Sequence, residues 1–319
     1  MKRRNFIKTT AVASPLMGYF PASLANIVRD KEHGKLEKRV LGSTGEKLSI
    51  IGFGGIVVKD ASPEQSSNRV AEAIDYGVNY FDVAPTYGDA EVKLGPALEP
   101  YRKNVFLACK TTERKRGGSQ KELDQSLKRL RTDHFDLYQL HAVNTLEDVD
   151  TIFSKGGAME TFLAAKKEGK VNYLGFSSHT VEAAMVLLDR FDFDSILFPI
   201  NFATWYAGNF GPQVLAKAHE KKMGILALKS MVKGPWPKGA KRNIPKAWYE
   251  PLDEPDEMKM GMRFTLSHPV TAAIPPGNED LFKMSLGLAT KFKPLKSSEV
   301  EEIKQKGLAA TPLFRYPKA

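Results

Sequence analysis

Apolar residues recur along the chain in short runs, each parted from the next by a stretch with the 3.6-residue period of an amphipathic helix. The runs are LSIIGFGG, NYFDV, NVFLACK, FDLYQLH, NYLGFS, SILFPIN, GILALKS and VTAAIP, eight in all. The punctuation between them agrees. Ser62-Pro63-Glu64-Gln65 reads as a capping box with proline at the first helical position, and its helix should stop at Gly77. Ser119-Gln120-Lys121-Glu122 predicts the start of a second capped helix, with Leu123, Leu127 and Leu130 at core spacing. Ahead of the first run, KRVLGSTGEKLSI holds two apolar stretches parted by Gly42-Ser43-Thr44-Gly45, a hairpin signal. A last helix is expected from Ser297 to Leu308, packing with the tail TPLFRYP either on the body of the protein or on a partner. Eight strands alternating with helices predict an α/β fold, a closed (β/α)8 TIM barrel with an N-terminal β-hairpin and a C-terminal helix. An open doubly wound sheet is the competitor. The first strand lacks a GxGxxG feeding into a helix, and no GxxxxGK[ST] occurs, which favours the barrel.

Composition narrows the class. With 319 residues, 42% hydrophobic and 26% charged, the chain is neither disordered, collagen-like nor a multi-span membrane protein. Its single cysteine, Cys109, excludes an internal disulfide, a CxxC pair and a multi-cysteine metal site. The amino terminus reads MKRRNFIK and is followed by no charge until Arg29. Arg3 and Arg4, then Phe6, Ile7 and Lys8, then small residues near Ser23-Leu24-Ala25, resemble a twin-arginine export signal. The expected organisation is a signal over residues 1–25, a linker over 26–36 and a barrel over 37–319. That resemblance implies a periplasmic or exported protein that meets the export machinery, and the membrane only during export. The same stretch read as an anchor is the alternative, against which Pro15, Pro21 and Gly18 weigh. Without residues 1–25 the net charge falls from +10 to +6. No basic run interleaved with aromatics points to nucleic acid.

Candidate chemistry follows from where polar residues interrupt the apolar runs. In a barrel, catalysis belongs to the C-terminal ends of the strands. Asp82, Lys110, His141 and Ser177 occupy those ends at spacings of 28, 31 and 36 residues, one βα unit each. Asp82, Lys110 and His141 should therefore meet at one mouth, and Tyr87, in the loop APTYGDAE, can reach it. A lysine cation beside a tyrosine lowers the phenol's pKa from its reference of ~10, and Asp82 would hold the lysine charged. His141 could orient a carbonyl oxygen. These groups form a proton relay aimed at one oxygen, suited to a reaction in which something else supplies hydride. Cys109 alternates to the other side of its strand and reads as packing. The remaining histidines show no metal-ligand spacing, so no metal is expected.

FDVAPTYGDAEVKLG, the strand ending ACKTT, the strand ending LYQLH, and GFSSH together resemble the aldo-keto reductase family, in order and over Lys38 to Pro276. The resemblance implies Tyr87 as general acid-base, Lys110 and Asp82 as the groups that tune it, and His141 as the group that positions the carbonyl. It also implies NADP, with NAD possible, bound extended across the barrel mouth, and a small carbonyl or alcohol substrate. Cofactor contacts are then expected from Gly55, Ser177, Ser178, Asn201, Lys229, Ser230, Met231 and Gly277. Ser178 stands where relatives carry asparagine, and Lys229 where they often stack a tyrosine on the nicotinamide, leaving Met231 or apolar neighbours to hold the ring. Lys233, Lys238, Lys241, Arg242 and Lys246 in the following loop, and Lys283 beyond it, are candidate phosphate partners. Ile56, Val57, Trp205 and Tyr206 are the expected substrate wall. Two rivals remain open. One is an exported, redox-neutral sugar-modifying enzyme with a tightly bound, recycled cofactor. The other is a non-catalytic dinucleotide-binding module, against which the complete tetrad argues.

Overall fold

A hairpin opens the described part of the chain, residues 34–317 of a computed structural model. The expected leader, residues 1–25, and most of the expected linker lie outside the described residues, as does His33. Strands β1 (Lys38–Val40) and β2 (Lys47–Ser49) pair antiparallel through the glycine-rich turn read from the sequence. Gly42 sits at φ +52, and a Cβ there would come within 2.2 Å of the Gly224 nitrogen, so the turn presses on the barrel rim where only glycine fits. The buried side chains of Leu41 and Leu48 join the cluster that fills the barrel interior. The hairpin is thus a floor.

Eight parallel strands stand on that floor in chain order: β3 (Phe53–Gly54), β4 (Tyr80–Asp82), β5 (Phe106–Thr111), β6 (Phe135–Leu140), β7 (Val171–Ser177), β8 (Ser195–Pro199), β9 (Gly224–Leu228) and, beyond a strap, β12 (Ala272–Ala273). The strap carries the short antiparallel pair β10 (Val232–Gly234) and β11 (Glu250–Pro251). A parallel bridge between Ile51 and Ala273 joins the two ends of the sheet, with Gly52 N donating to Ala273 O at 3.0 Å and Ala273 N to Ile50 O at 2.9 Å. The sheet is a closed barrel. Alternation puts Tyr80, Phe106, Leu137, Leu197 and Leu226 inside it, and Cys109 and Tyr138 outside against the helices.

The helical layer follows the expected alternation. Helices α1 (Pro63–Asp75), α2 (Ala90–Leu98) and α3 (Arg116–Arg129) follow β3, β4 and β5. Helices α4 (Leu146–Phe153) and α5 (Ala158–Lys167) follow β6, and α6 (Val181–Arg190) follows β7. Helices α7 (Phe202–Tyr206) and α8 (Pro212–Glu220) follow β8, α9 (Pro255–Leu266) follows the strap, and α10 (Glu279–Ala289) and α11 (Ser297–Ala309) close the chain. The capping box of α1 forms as read: Gln65 N donates to Ser62 Oγ at 3.1 Å and Ser62 N to Gln65 Oε1 at 2.9 Å, worth about 1 kcal/mol. Gly77, at φ +87, follows its end.

The expected start of α3 is corrected. The helix begins at Arg116, one turn before Ser119, because Ser119 Oγ donates inward to Thr161 Oγ1 at 2.8 Å and Glu122 reaches back to Thr111 and Thr112. The residues of an apparent cap are spent on tertiary contacts. The end of the chain packs on its own barrel: α11 lies against α7, where a Cβ on Gly307 would meet Phe202 O at 2.7 Å. Beyond it Phe314 stacks on Phe210 at 5.1 Å, close to the mouth.

Candidate active site

Asp82 is the last residue of β4, and Lys110 is one step short of the end of β5. Their register, Asp82 opposite Ala108, sets the ammonium one layer above the carboxylate, inside the barrel. Lys110 Nζ donates to Asp82 Oδ1 and also to Val83 O at 3.3 Å. Tyr80 Oη donates to the other oxygen, Asp82 Oδ2, at 3.1 Å. Tyr80 was not among the expected site residues. The signal was present, since residues i and i+2 of a strand share a face. All three side chains are buried.

The loop after β4 returns Tyr87 over this pair. Lys110 Nζ lies 5.4 Å from the Tyr87 ring centre, and the Tyr87 ring meets His141 edge-on at 5.7 Å and 86°. His141 follows β6, held by its own N–H to Thr111 O at 2.8 Å and by Arg114, whose guanidinium donates to His141 O at 2.9 Å. The four residues expected to meet do meet. Their electrostatics depart from expectation in one respect. Burial pushes the Tyr87 phenol up, Lys110 pulls it down, and the net lies above the ordinary tyrosine value. Lys110 therefore offsets a penalty and does not make the phenol a stronger acid than free tyrosine. Burial pulls down on Lys110 too, but the charges of Asp82 and Tyr87 outweigh it and leave the ammonium above its usual value. Burial first, then Lys110, lowers His141 to about 3, and burial with Lys229 lowers His179 to about 4. Both imidazoles are neutral at physiological pH.

The mouth encloses a cavity of about 80 Å³ whose wall includes Asp82, Tyr87, Ile56, Gly277, Trp248 and Tyr249. The aromatic part of that wall corrects the sequence expectation. Trp205 and Tyr206 belong to the outer layer, where Trp205 packs on His268 at 4.5 Å and both rings pack on Phe264 of α9. Trp248 and Tyr249, from the strap, take the place expected of them, and Phe314 of the tail meets Trp248 at 6.2 Å. Val57 and Met231 are also core residues. Val57 O receives Arg69, and the buried Met231 Sδ receives Ser285 Oγ at 3.3 Å. Gly55 packs under Val83, which a Cβ would meet at 2.7 Å. Ser177 Oγ accepts from Ala142 N, and Ser178 Oγ is shared with Thr180. Asn201 Oδ1 caps α7 at Thr204 N, while its Nδ2 and the Ser230 hydroxyl are buried without a partner among the described residues. Lys229, at φ +62, lies partly buried between Trp248 and Tyr249.

The strap is tied across the mouth. Lys246 Nζ reaches Glu279 Oε2 and Val57 O, each at 3.4 Å, and Arg69 holds the same carboxylate and the same carbonyl from α1. Lys233 pairs with Glu250, and Lys283 with Glu72 on the outside of the barrel, so Lys283 is committed away from the mouth. Cys109 is buried outside the barrel, its Sγ 3.7 Å from Glu91 Oε1. A wider groove of about 880 Å³, lined by residues such as Arg102, His134 and Asp136, lies at the opposite end of the strands and holds none of these groups.

The model of the aldo/keto reductase family matches residues 50–250, and all four converging side chains fall within them. The chain belongs to the aldo/keto reductase family. Among its relatives, L-galactose dehydrogenase from Arabidopsis thaliana is 32% identical over 171 residues, 49% of this chain and 53% of that protein. Methylglyoxal reductase YeaE from Escherichia coli is 34% identical over 150 residues, 45% of this chain and 50% of that protein. The chain thus spans about half the length of these curated relatives. The aldo-keto reductase AKR11C1 from Bacillus halodurans, in its holo form, superposes with a TM-score of 0.68 at 23% identity, covering 89% of this chain and 99% of that one, which establishes a shared fold.

Proposed function

We propose that this aldo/keto reductase interconverts a small carbonyl compound and the corresponding alcohol with NADP, or in second place NAD, as the hydride carrier. The observation that carries the reading is the convergence of the Asp82–Lys110 pair, the Tyr87 phenol and a neutral His141, with Asp82 and Tyr87 lining the mouth cavity. An extended dinucleotide fits the residues present. Among the described residues the Asn201 amide nitrogen and the Ser230 hydroxyl are buried without partners, and the Trp248 and Tyr249 rings line the mouth. Asn201, Ser230, Tyr249 and the Gly277 backbone are the groups that would hold it. When bound, its reduced nicotinamide supplies the hydride for the carbonyl carbon.

The chain's own residues handle the oxygen. Neutral His141 donates an N–H that orients the carbonyl, a task an imidazolium would complicate by releasing a proton. Tyr87 keeps its own proton because its pKa is raised, and transfers it as alkoxide character develops, that oxygen being far more basic than a phenolate. Lys110, held in place by Asp82 and the Tyr80 hydrogen bond, stabilises the phenolate left behind. The carbon gains the hydride, the oxygen gains the phenolic proton, and solvent restores Tyr87.

Tyr87→Phe tests this directly, read by nicotinamide absorbance over a panel of aldehydes, ketones and sugars with both dinucleotides. A general acid is worth about 10²- to 10⁴-fold. Turnover should fall by that factor while the dinucleotide dissociation constant stays within about threefold. Undiminished turnover would remove Tyr87 from its role.

We further propose that the protein is exported, on the pattern of Arg3-Arg4 and the uncharged stretch behind them. A cofactor installed before export and recycled on one sugar-like substrate is the form of the reaction that export favours. Replacing both arginines by lysine should hold the protein in the cytoplasmic fraction, and unchanged fractionation would refute export. Active exported protein free of dinucleotide would exclude the recycled form.

A further inference from the structure

We propose that Lys229 is an anion receptor in the active-site mouth and that the substrate carries a carboxylate that it binds. The inference rests on the reductase reading of the same site and narrows its substrate class.

The cations around this mouth differ in one respect. Lys110 has Asp82, Lys233 has Glu250, and Lys246 has Glu279. Among the described residues no carboxylate or carbonyl oxygen lies within bonding distance of Lys229. What it has instead is two aromatic faces, Trp248 at 5.1 Å and Tyr249 at 4.6 Å from ring centre to Nζ. Such faces attract an ammonium ion and offset part of the cost of burying it, but they accept none of its three N–H bonds in the way an oxygen does. Burial accordingly pulls Lys229 down to about 8. A partly buried cation without a protein oxygen partner among the described residues is free to bind a ligand anion.

Location decides which anion. Lys229 lines the same cavity as Tyr87 and Asp82, and its charge is felt by both His141 and His179. It therefore stands beside the place where the carbonyl is oriented. Lys246 and Arg69, the cations next to Ile56 and Gly277, lie at the strap clasp and are already paired. With Tyr87 and His141 at the carbonyl oxygen and Lys229 lining the same cavity, a short carboxylated aldehyde or ketone would be held at two points. That arrangement fixes which carbon faces the hydride. A phosphate of the dinucleotide has the same chemistry, so the test must separate the two sources.

The test compares 4-carboxybenzaldehyde with its neutral isostere 4-carbamoylbenzaldehyde, and separately titrates benzoate and benzamide into the dinucleotide-loaded protein by calorimetry. Variants are Lys229→Asn, neutral and tolerant of the positive φ, and Lys229→Arg, which keeps the charge. The native protein should prefer the carboxylate at least tenfold in kcat/KM and in binding. Lys229→Asn should abolish the preference ratio, whatever its absolute rate, and Lys229→Arg should retain most of it. Equal ratios in the native and Asn proteins would overturn the proposal. So would a tenfold weaker dinucleotide affinity in Lys229→Asn with the carboxylate preference intact, which would assign the cation to a cofactor phosphate. Benzoate preference that depends on Lys229 in a protein reducing no aldehyde at all would support the receptor and refute the reductase reading.

Discussion

Replacing Lys110 with methionine removes the cation from a carboxylate that is 2% exposed and leaves Asp82 with the Tyr80 hydroxyl as its one side-chain donor among the described residues. Breaking a buried ion pair from one side costs about 3–5 kcal/mol, because the remaining charge has lost both water and partner. Unfolding entropy of ~2.1 cal/mol/K per residue gives roughly 0.6 kcal/mol/K for a domain of about 280 residues, so the midpoint should drop by about 5–8 °C. Adding Asp82→Asn to Lys110→Met removes the stranded charge, and the double variant should recover more than half of that loss in a calorimetric melt. Its turnover should stay at the level of the single variant, since the phenolate has no cation in either. Additive losses of stability in the double variant would show that the two charges do not form the coupled pair described. Recovery of turnover together with stability would refute the role given to Lys110.

Two other expectations follow from the same contacts. Trp248→Ala should raise KM for the best substrate about tenfold with little change in melting temperature, its side chain being 52% exposed, whereas Trp205→Ala should cost about 2–3 kcal/mol of stability. The reverse pattern in kinetics and melts would return the wall to Trp205. His141 and His179 bind protons in the unfolded chain near pH 6.5 and in the folded protein only near 3 and 4. Between those values the unfolded state holds more protons, so stability is present above pH 6.5 and is lost as pH falls, at up to about 1.4 kcal/mol per unit for each ring. Denaturant midpoints measured from pH 7 to 5 should show this slope, and the His141→Asn, His179→Asn protein should not. An unchanged slope in that protein would place the titration elsewhere.

The tetrad was legible because strand ends recur once per βα unit and strand alternation dictates which residues point inward. The wall was not. Trp205 and Tyr206 follow a strand closely, but one turn of α7 carries them to the outer layer. Trp248 and Tyr249 sit in a strap with no periodicity, placed by the clasp of Lys246 on Glu279. The sign of the Tyr87 shift was equally hidden, since the neighbouring lysine can be read from spacing but the depth of burial cannot. The Ser119–Glu122 pattern misled for a related reason: capping residues are also good hydrogen-bonding partners for more distant segments.

The hairpin plug has a consequence for traffic. With Leu41 and Leu48 stoppering one end of the cylinder, everything that reacts must come and go by the other, so visitors queue. A coenzyme held at that mouth by Asn201, Ser230 and Gly277, as proposed, would share its one doorway with the substrate.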